Sequence, residues 1–326
     1  MTPNMHVRTS IAIFAAIAAT IFTSAFAADP YPTRPIRMIV GFAPGGGTDL
    51  TARPVALKLS ELLGQQVIVE NRPGAGGNIA TEQVARAAPD GYTILMGTIA
   101  ALAINPSLYG NLKFDPETDL APVIQVVDAT NVLALHPSVQ ANSVQELIAL
   151  ARQKSLSAGS SGIGATGHLA IELFNMMAGV KLVHVPYKGG GPAMTDLVGG
   201  QVQLIFATTA SAVPQIRGGR IKGIAVTTAR RSALMPELPT ISEAGLAGFD
   251  ANNWYGIVVP IKTPRAIIDQ LNAEVTKILN MPEVRTTLFN QGLDPAPGTA
   301  EQFGAYIKSE RIKWARVIKA SGAKAE

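Results

Sequence analysis

The chain has 326 residues, 47% of them hydrophobic and only 15% charged. With 27 Lys and Arg against 23 Asp and Glu the net charge is +4, spread without long runs of one sign, which argues against a disordered or nucleic-acid-binding chain. No cysteine is present, so disulfides, cysteine-ligated zinc, iron–sulfur clusters, a thiol nucleophile and an acylated lipoprotein anchor are excluded. The four histidines are His6, His136, His168 and His184, too few for a histidine-rich metal site. No cofactor is expected. The length suggests about two domains.

The first segment, residues 1–27, reads as a secretory signal peptide. Arg8 gives a charged start, Ile11–Phe22 is a short apolar run, and Ala25-Phe26-Ala27 places small residues at −3 and −1. The apolar run is too short for a bilayer, which needs about 20 residues. An uncleaved anchor is the alternative. The expected product is soluble and exported.

Beyond it, short apolar runs alternate with amphipathic ones. Ile36–Gly41 reads as a buried strand and Phe42–Thr48 as a loop. Asp49–Leu63 reads as a helix stopped by Gly64, with Pro54 expected to kink it. Strand Val67–Glu70, turn Asn71–Gly77, helix Asn78–Ala88 and strand Tyr92–Met96 follow. This β-α-β-α-β rhythm implies a parallel sheet with helices on its faces. Asn105–Val123 is long and irregular. A second run comprises strand Val132–His136, helix Val144–Lys154, extended Leu156–Ala158, helix Thr166–Ala178 and strand Leu182–Tyr187. Helix Pro192–Leu197 and strands Val202–Phe206 and Ile221–Thr227 complete it. Strand Tyr255–Val259 and helices Pro264–Asn280 and Thr299–Ala320 close the chain. Two α/β lobes are expected, residues 28–130 plus 253–326 and residues 131–252, with crossings near 129–131 and 250–254.

The segment Gly41–Asp49, with Gly45, Gly46 and Gly47 in a row, lies between a strand and a helix. Glycines let backbone approach a ligand, and the first N–H groups of a helix are unpaired and partly positive. Together they suit an anion. Nucleotide motifs are absent, because neither a Gly-Lys-Ser/Thr ending nor a Gly-x-Gly-x-x-Gly spacing occurs here. Asp49 reads as a cap that organises the loop, or alternatively as a receiver for an ammonium group or a water. A second Gly/Ser segment, 158–168, supplies Ser160, Ser161 and Thr166. A serine hydrolase using Ser160 or Ser161 is the reading from another class, but no Gly-x-Ser-x-Gly and no acid beside His168 support it. Loops 43–49, 97–100 and 159–166 all fall at carboxyl ends of strands, where open α/β sheets bind ligands.

Several stretches resemble solute-binding proteins of the tripartite tricarboxylate transporter, the Bug family. They are Tyr31-Pro32-x-Arg34-Pro35-Ile36-Arg37, Gly45-Gly46-x-x-Asp49-x-x-Ala52-Arg53 and Val69-Glu70-Asn71-Arg72-Pro73-Gly74-Ala75-Gly76-Gly77. Pro89–Thr93, Asn105–Tyr109, His184–Gly189 and Asp196–Val202 add to them. The resemblance implies a type II periplasmic-binding-protein fold, two α/β lobes closing on a small carboxylate that is passed to membrane permease subunits. It implies contacts from Pro44, Gly45, Gly46, Gly47, Thr48 and Asp49, and from Ser160, Ser161, Gly164 and Thr166, with Thr98, Tyr187 and Thr208 as further ones. One departure is Ala207, where relatives often carry an Asp; its loss is expected to favour an aliphatic or aromatic mono- or dicarboxylate over an amino acid. The expected function is capture of a di- or tricarboxylate or aromatic carboxylate without catalysis, for a transporter or alternatively for a sensor kinase. The mature chain is expected to begin at Ala28 or within one or two residues of it; N-terminal sequencing of periplasmic material checks this, and a start at Met1 would refute it.

Overall fold

In the six-stranded sheet, β1 (Ile36–Val40) lies between β2 (Val67–Asn71) and β3 (Thr93–Thr98) and runs parallel to both. The computed structural model describes residues 31–321 and 324–325, so the signal-peptide reading of residues 1–27 lies outside the described residues. Helix α1 (Gly47–Leu63) connects β1 to β2, and α2 (Asn78–Ala85) connects β2 to β3. Strands β1 and β3 are almost wholly buried, which is why they read as continuous apolar runs. Beyond β3 come β10 (Asn253–Pro260), β4 (Leu120–Ala129) and β11 (Leu293–Pro295), each antiparallel to its neighbour.

The five-stranded sheet repeats the plan. Strand β6 (Ser157–Ser160) pairs in parallel with β7 (Val183–Pro186) and β8 (Leu204–Thr208). Strand β5 (Asn131–Leu135) is antiparallel to β8 and to β9 (Lys222–Val226). Both sheets are therefore mixed rather than purely parallel. The reason is the route of the chain: β5 and β10 each begin where the chain arrives from the other sheet, and so enter from the opposite end. Thr130 alone separates β4 from β5. There the Thr209 N–H donates to the Thr130 carbonyl at 2.8 Å, while the Thr209 hydroxyl donates to the Gly292 carbonyl at 2.6 Å.

Several local expectations change. Helix α1 starts at Gly47, with Gly46 as N-cap, two residues before Asp49. It runs unbroken through Pro54, since one missing N–H is outweighed by the buried face Val55, Ala56 and Leu59; Gly64 ends it in a left-handed conformation. Asn105–Val123 is not irregular throughout: α3 (Asn105–Leu108) and α4 (Pro116–Asp119) lead into β4. Pro122 argues against an interior strand, but it sits at a register shift opposite Val258, where the ladder tolerates a missing donor. Helix α2 stops three residues earlier than the Pro-Asp-Gly signal implies. After α5 (Val144–Gln153), α6 (Thr166–Ala178) and α7 (Gly190–Val198), helix α8 (Thr209–Arg217) was masked by its internal Pro214. Following α9 (Arg265–Asn280), α10 (Pro282–Asn290) is too short to show a periodicity, and α11 (Ala300–Ser321) packs back on the six-stranded sheet.

Trp254 ties the last helix to the sheet. It is wholly buried in β10, edge-on to Phe303 of α11 with centroids 5.5 Å apart. Trp254→Ala is expected to lower the unfolding free energy by about 3–5 kcal/mol, read from the urea midpoint; a shift under about 1 kcal/mol would mean that α11 is held elsewhere.

Candidate ligand-binding site

Loops after β1, β3, β6 and β8 meet the starts of β5 and β10 around a cleft of about 580 Å³. Among the described residues no charged side chain lines it. What lines it instead is backbone at the N-termini of four helices: Gly46, Gly47 and Thr48 of α1; Ala165, Thr166 and Gly167 of α6; Gly190 of α7; and Thr208 before α8. The geometry follows from topology, because a helix leaving the carboxyl end of a strand begins at that sheet edge. None of the four N-caps makes a side-chain capping hydrogen bond. Away from the cleft, Ser143 caps α5 and Asp115 caps α4 with their own oxygens. The first-turn N–H groups of α1, α6 and α7 thus remain for an external acceptor, whereas Thr209 of α8 already donates to Thr130, and each helix end carries about half a positive charge.

The floor is polar and uncharged. Asn253 accepts from the Trp254 N–H at 2.9 Å, which orients its amide so that Nδ2 donates to the Tyr255 hydroxyl at 3.0 Å. Burial pushes the Tyr255 phenol up to about 12, with smaller opposing effects from Asn253 and Thr48; it stays protonated. Asn131, at the start of β5, donates through Nδ2 to the Thr166 hydroxyl at 3.4 Å. Thr98, Thr208 and Ser211 add hydroxyls, and Phe42, Ala100, Ala193, Ile205, Phe206 and Ala207 supply apolar wall. At Gly47 a Cβ would stand 2.5 Å from Thr208 Oγ1 and 2.7 Å from the Tyr255 hydroxyl, so only glycine keeps this corner open.

Of the residues singled out from the sequence, Gly46, Gly47, Thr48, Thr98, Ser160, Ser161, Thr166 and Thr208 line this cleft. Pro44, Gly45, Asp49, Gly164 and Tyr187 do not, and each is occupied otherwise. Asp49 is 3% exposed and accepts from the Gly45 N–H at 3.1 Å, from Asn71 Nδ2 at 2.9 Å and from Arg53 at 2.9 Å. It braces the loop from behind, so it organises the loop as expected, but it is not the helix cap that the sequence suggested: the N-cap is Gly46 and Asp49 lies within the first turn. The Tyr187 hydroxyl donates to Asp196 at 2.7 Å, and the Gly164 N–H donates to His168 Nδ1 at 3.2 Å. Pro44 and Gly45 belong to a seam over the cleft. There the Ala43 N–H donates to the Lys188 carbonyl at 3.0 Å, and a Cβ on Gly191 would collide with the Pro44 carbonyl. On another side the Tyr109 hydroxyl donates to the Ile163 carbonyl at 3.1 Å.

Asn131, Asn253, Tyr255 and Ser211 were not foreseen. The available signal was position: polar residues opening strands at the two crossings between sheets have a backbone at the cleft floor.

Ser160 Oγ lies 2.6 Å from His184 Nε2, the spacing of a nucleophile and its base. Yet burial, helped by the adjacent His168, pushes His184 down to about 3, and burial pushes His168 down to about 4. The two rings stack at 4.2 Å. Ser160 also accepts from the Gly162 N–H at 3.2 Å. A base this weak does not take up a serine proton at neutral pH.

The two mixed sheets and the cleft between them define an α/β solute-binding protein of the periplasmic type. The model for "Tripartite tricarboxylate transporter family receptor" matches residues 51–323. R. palustris Rpa4515, solved with adipate, is 38% identical, with a TM-score of 0.88 over 90% of this chain and 99% of that one. The periplasmic binding protein BugD is 37% identical, with a TM-score of 0.88 over 91% of this chain and 100% of its own. MatC of Rhodopseudomonas palustris, solved with malate, is 31% identical, with a TM-score of 0.85 over 88% and 100%. The chain belongs to the tripartite tricarboxylate transporter receptor family, the Bug proteins.

Burial raises the Asp49 carboxyl, but hydrogen bonds from Arg53, Asn71 and Gly45 outweigh it and hold the group below its ordinary 3.8. A depressed carboxylate stabilises the fold fully above its unfolded value and loses that contribution as pH falls through its folded value. Asp49→Asn is therefore expected to lower stability by about 1–3 kcal/mol at neutral pH. The gap from wild type should close as pH falls below about 4. Urea unfolding across this range checks it; a constant gap would show that Asp49 acts by shape alone.

Proposed function

We propose that this protein captures a dicarboxylate dianion in the cleft, with an aliphatic or aromatic body, and delivers it to the membrane subunits of its transporter. The observation that carries this is the convergence of four uncapped helix N-termini on a cleft lined by no charged side chain. At about half a charge each they sum to about two positive units, the complement of two carboxylates. Among the described residues no acid lines the cleft and Ala207 stands in its wall, so no carboxylate is there to pair with an ammonium group. The apolar wall suits a hydrocarbon spacer. Adipate in Rpa4515 and malate in MatC are ligands of this chemistry.

The protein acts by binding, without catalysis. No carboxylate hydrogen-bonds to His184 among the described residues, and His184 is too weak a base for Ser160. Residues 1–27 act as the cleaved export signal and the receptor works in the periplasm. Two lobes, residues 28–130 plus 253–326 and residues 131–252, open and close about Thr130 and the 250–254 strand. The contacts to the anion come from the N–H groups of Gly47, Thr48, Thr166, Gly167 and Gly190 and from the hydroxyls of Thr48, Thr98, Thr166 and Thr208.

Calorimetric titration with mono-, di- and tricarboxylates and with amino acids tests the reading. A dicarboxylate is expected to bind best. Gly47→Ala, whose Cβ would displace Thr208 and Tyr255, is expected to weaken it by at least tenfold, about 1.4 kcal/mol, and to lower the thermal midpoint while leaving the protein folded. Failure of every carboxylate to bind, or an unaltered affinity in Gly47→Ala, would overturn it.

A further inference from the structure

The cleft offers donors almost everywhere: helix N–H groups, threonine and serine hydroxyls, and the phenol of Tyr255. One group has the opposite character. Asn131 lines the cleft and is 1% exposed, and its Oδ1 has no hydrogen-bond partner in the protein. Among the described residues, it is the one buried side-chain oxygen or nitrogen without a partner that belongs to a cleft-lining residue. An unpaired buried carbonyl is unfavourable, and native structures seldom leave one. The rest of Asn131 is engaged within the protein. Its backbone is fixed at the crossing, where the Thr227 N–H donates to the Asn131 carbonyl at 2.9 Å and Asn131 pairs with Thr208 in the ladder. The amide nitrogen is committed to the Thr166 hydroxyl. Because that hydroxyl accepts from Asn131, its own proton is left for the ligand.

A carboxylate cannot satisfy Oδ1, since it brings only acceptors. A hydroxyl on the carbon chain between two carboxylates can. Resting on the dicarboxylate reading, we propose that Asn131 is a specificity-determining residue: Nδ2 orients Thr166 toward a ligand carboxylate, and Oδ1 accepts a hydrogen bond from a hydroxyl on the ligand's carbon chain. The preferred ligand class is then the hydroxy-dicarboxylates, ahead of the plain dicarboxylates of equal length. Sites built to pair a ligand hydroxyl discriminate strongly against the analogue that lacks it, because the protein group is left unpaired.

Matched pairs decide it: succinate with malate, glutarate with 2-hydroxyglutarate, and adipate with 2-hydroxyadipate, titrated calorimetrically into the wild-type protein and into Asn131→Leu. The wild type is expected to bind one hydroxy member at least about tenfold more tightly than its plain partner. In Asn131→Leu the hydroxy ligand should lose that advantage. Equal affinity within every pair for the wild type would overturn the proposal without any variant. So would a preference that survives in Asn131→Leu. If Asn131→Leu weakens both members of a pair alike, the amide faces the ligand with its nitrogen, and the assignment of Oδ1 is wrong. Should Asn131→Leu unfold, Asn131→Asp keeps an acceptor of similar size, and there the hydroxy preference should persist while overall affinity falls; its disappearance would refute the role. If no member of any pair binds the wild type, the dicarboxylate reading itself fails, and that outcome differs from binding without discrimination.

Discussion

The convergence of four helix N-termini on one cleft is the constraint on which the design of this molecule depends; on the proposed reading these ends hold an anion. A guanidinium or ammonium clamp brings its charge on a flexible stem that must be ordered on binding. A helix N-terminus is already ordered, and its partial charge is fixed in direction. Four such ends at up to about 2 kcal/mol each supply gross attraction on the scale of a micromolar complex. For that to work, all four helices must start at one edge, must not be capped by their own side chains, and must be kept in register by something behind them. The loop before α1 meets the last need through Asp49, whose carboxylate holds Gly45, Asn71 and Arg53 together. The charged residues of this region thus serve the backbone that faces the cleft, not the cleft itself.

The crossings between sheets follow from the same demand. Helix ends from two sheets can face one another only if the sheets meet at their carboxyl edges, and the chain must then pass between them. It does so at Thr130 and again before Asn253, and both passages leave polar side chains on the cleft floor. Asn253 is fully engaged with Trp254 and Tyr255, while Asn131 keeps one oxygen unpaired. The floor is therefore asymmetric in chemistry although the two halves share a plan.

Much of this was legible in the sequence because it is local. The rhythm of IRMIV, VIVEN and the Thr166–Ala178 helix, the triple glycine at 45–47 and the Gly/Ser stretch at 159–164 all announce themselves within a few residues. Helix Thr166–Ala178 lies where its periodicity puts it. What was not legible depends on partners distant in the chain. Strand β4 was hidden by Pro122, tolerated only because β10 shifts register beside it. Helix α8 was hidden by Pro214. The roles of Gly45 and Asp49 could not be separated from that of Gly47, which shares their segment after β1, nor that of Tyr187 from that of Thr208, since each stands at the end of a strand of the same sheet. Which of them faces the cleft is settled by packing against Asn71, Asp196 and Gly191. Asn131 and Tyr255 carry no motif; only the meeting of two sheets gives them a function.

The seam above the cleft joins Ala43 to Lys188 by their peptide groups and brings Pro44 against Gly191, with hardly a side chain between them. On the proposed closing motion, a ligand held under this seam is released when that strip of main chain parts. Its dwell time is then governed by the rupture of contacts that the ligand does not make. Two ligands of unequal affinity would share a similar exit step and differ chiefly in how far they favour the sealed form. A docking permease that prises Ala43 from Lys188 could empty the receptor without recognising the cargo at all.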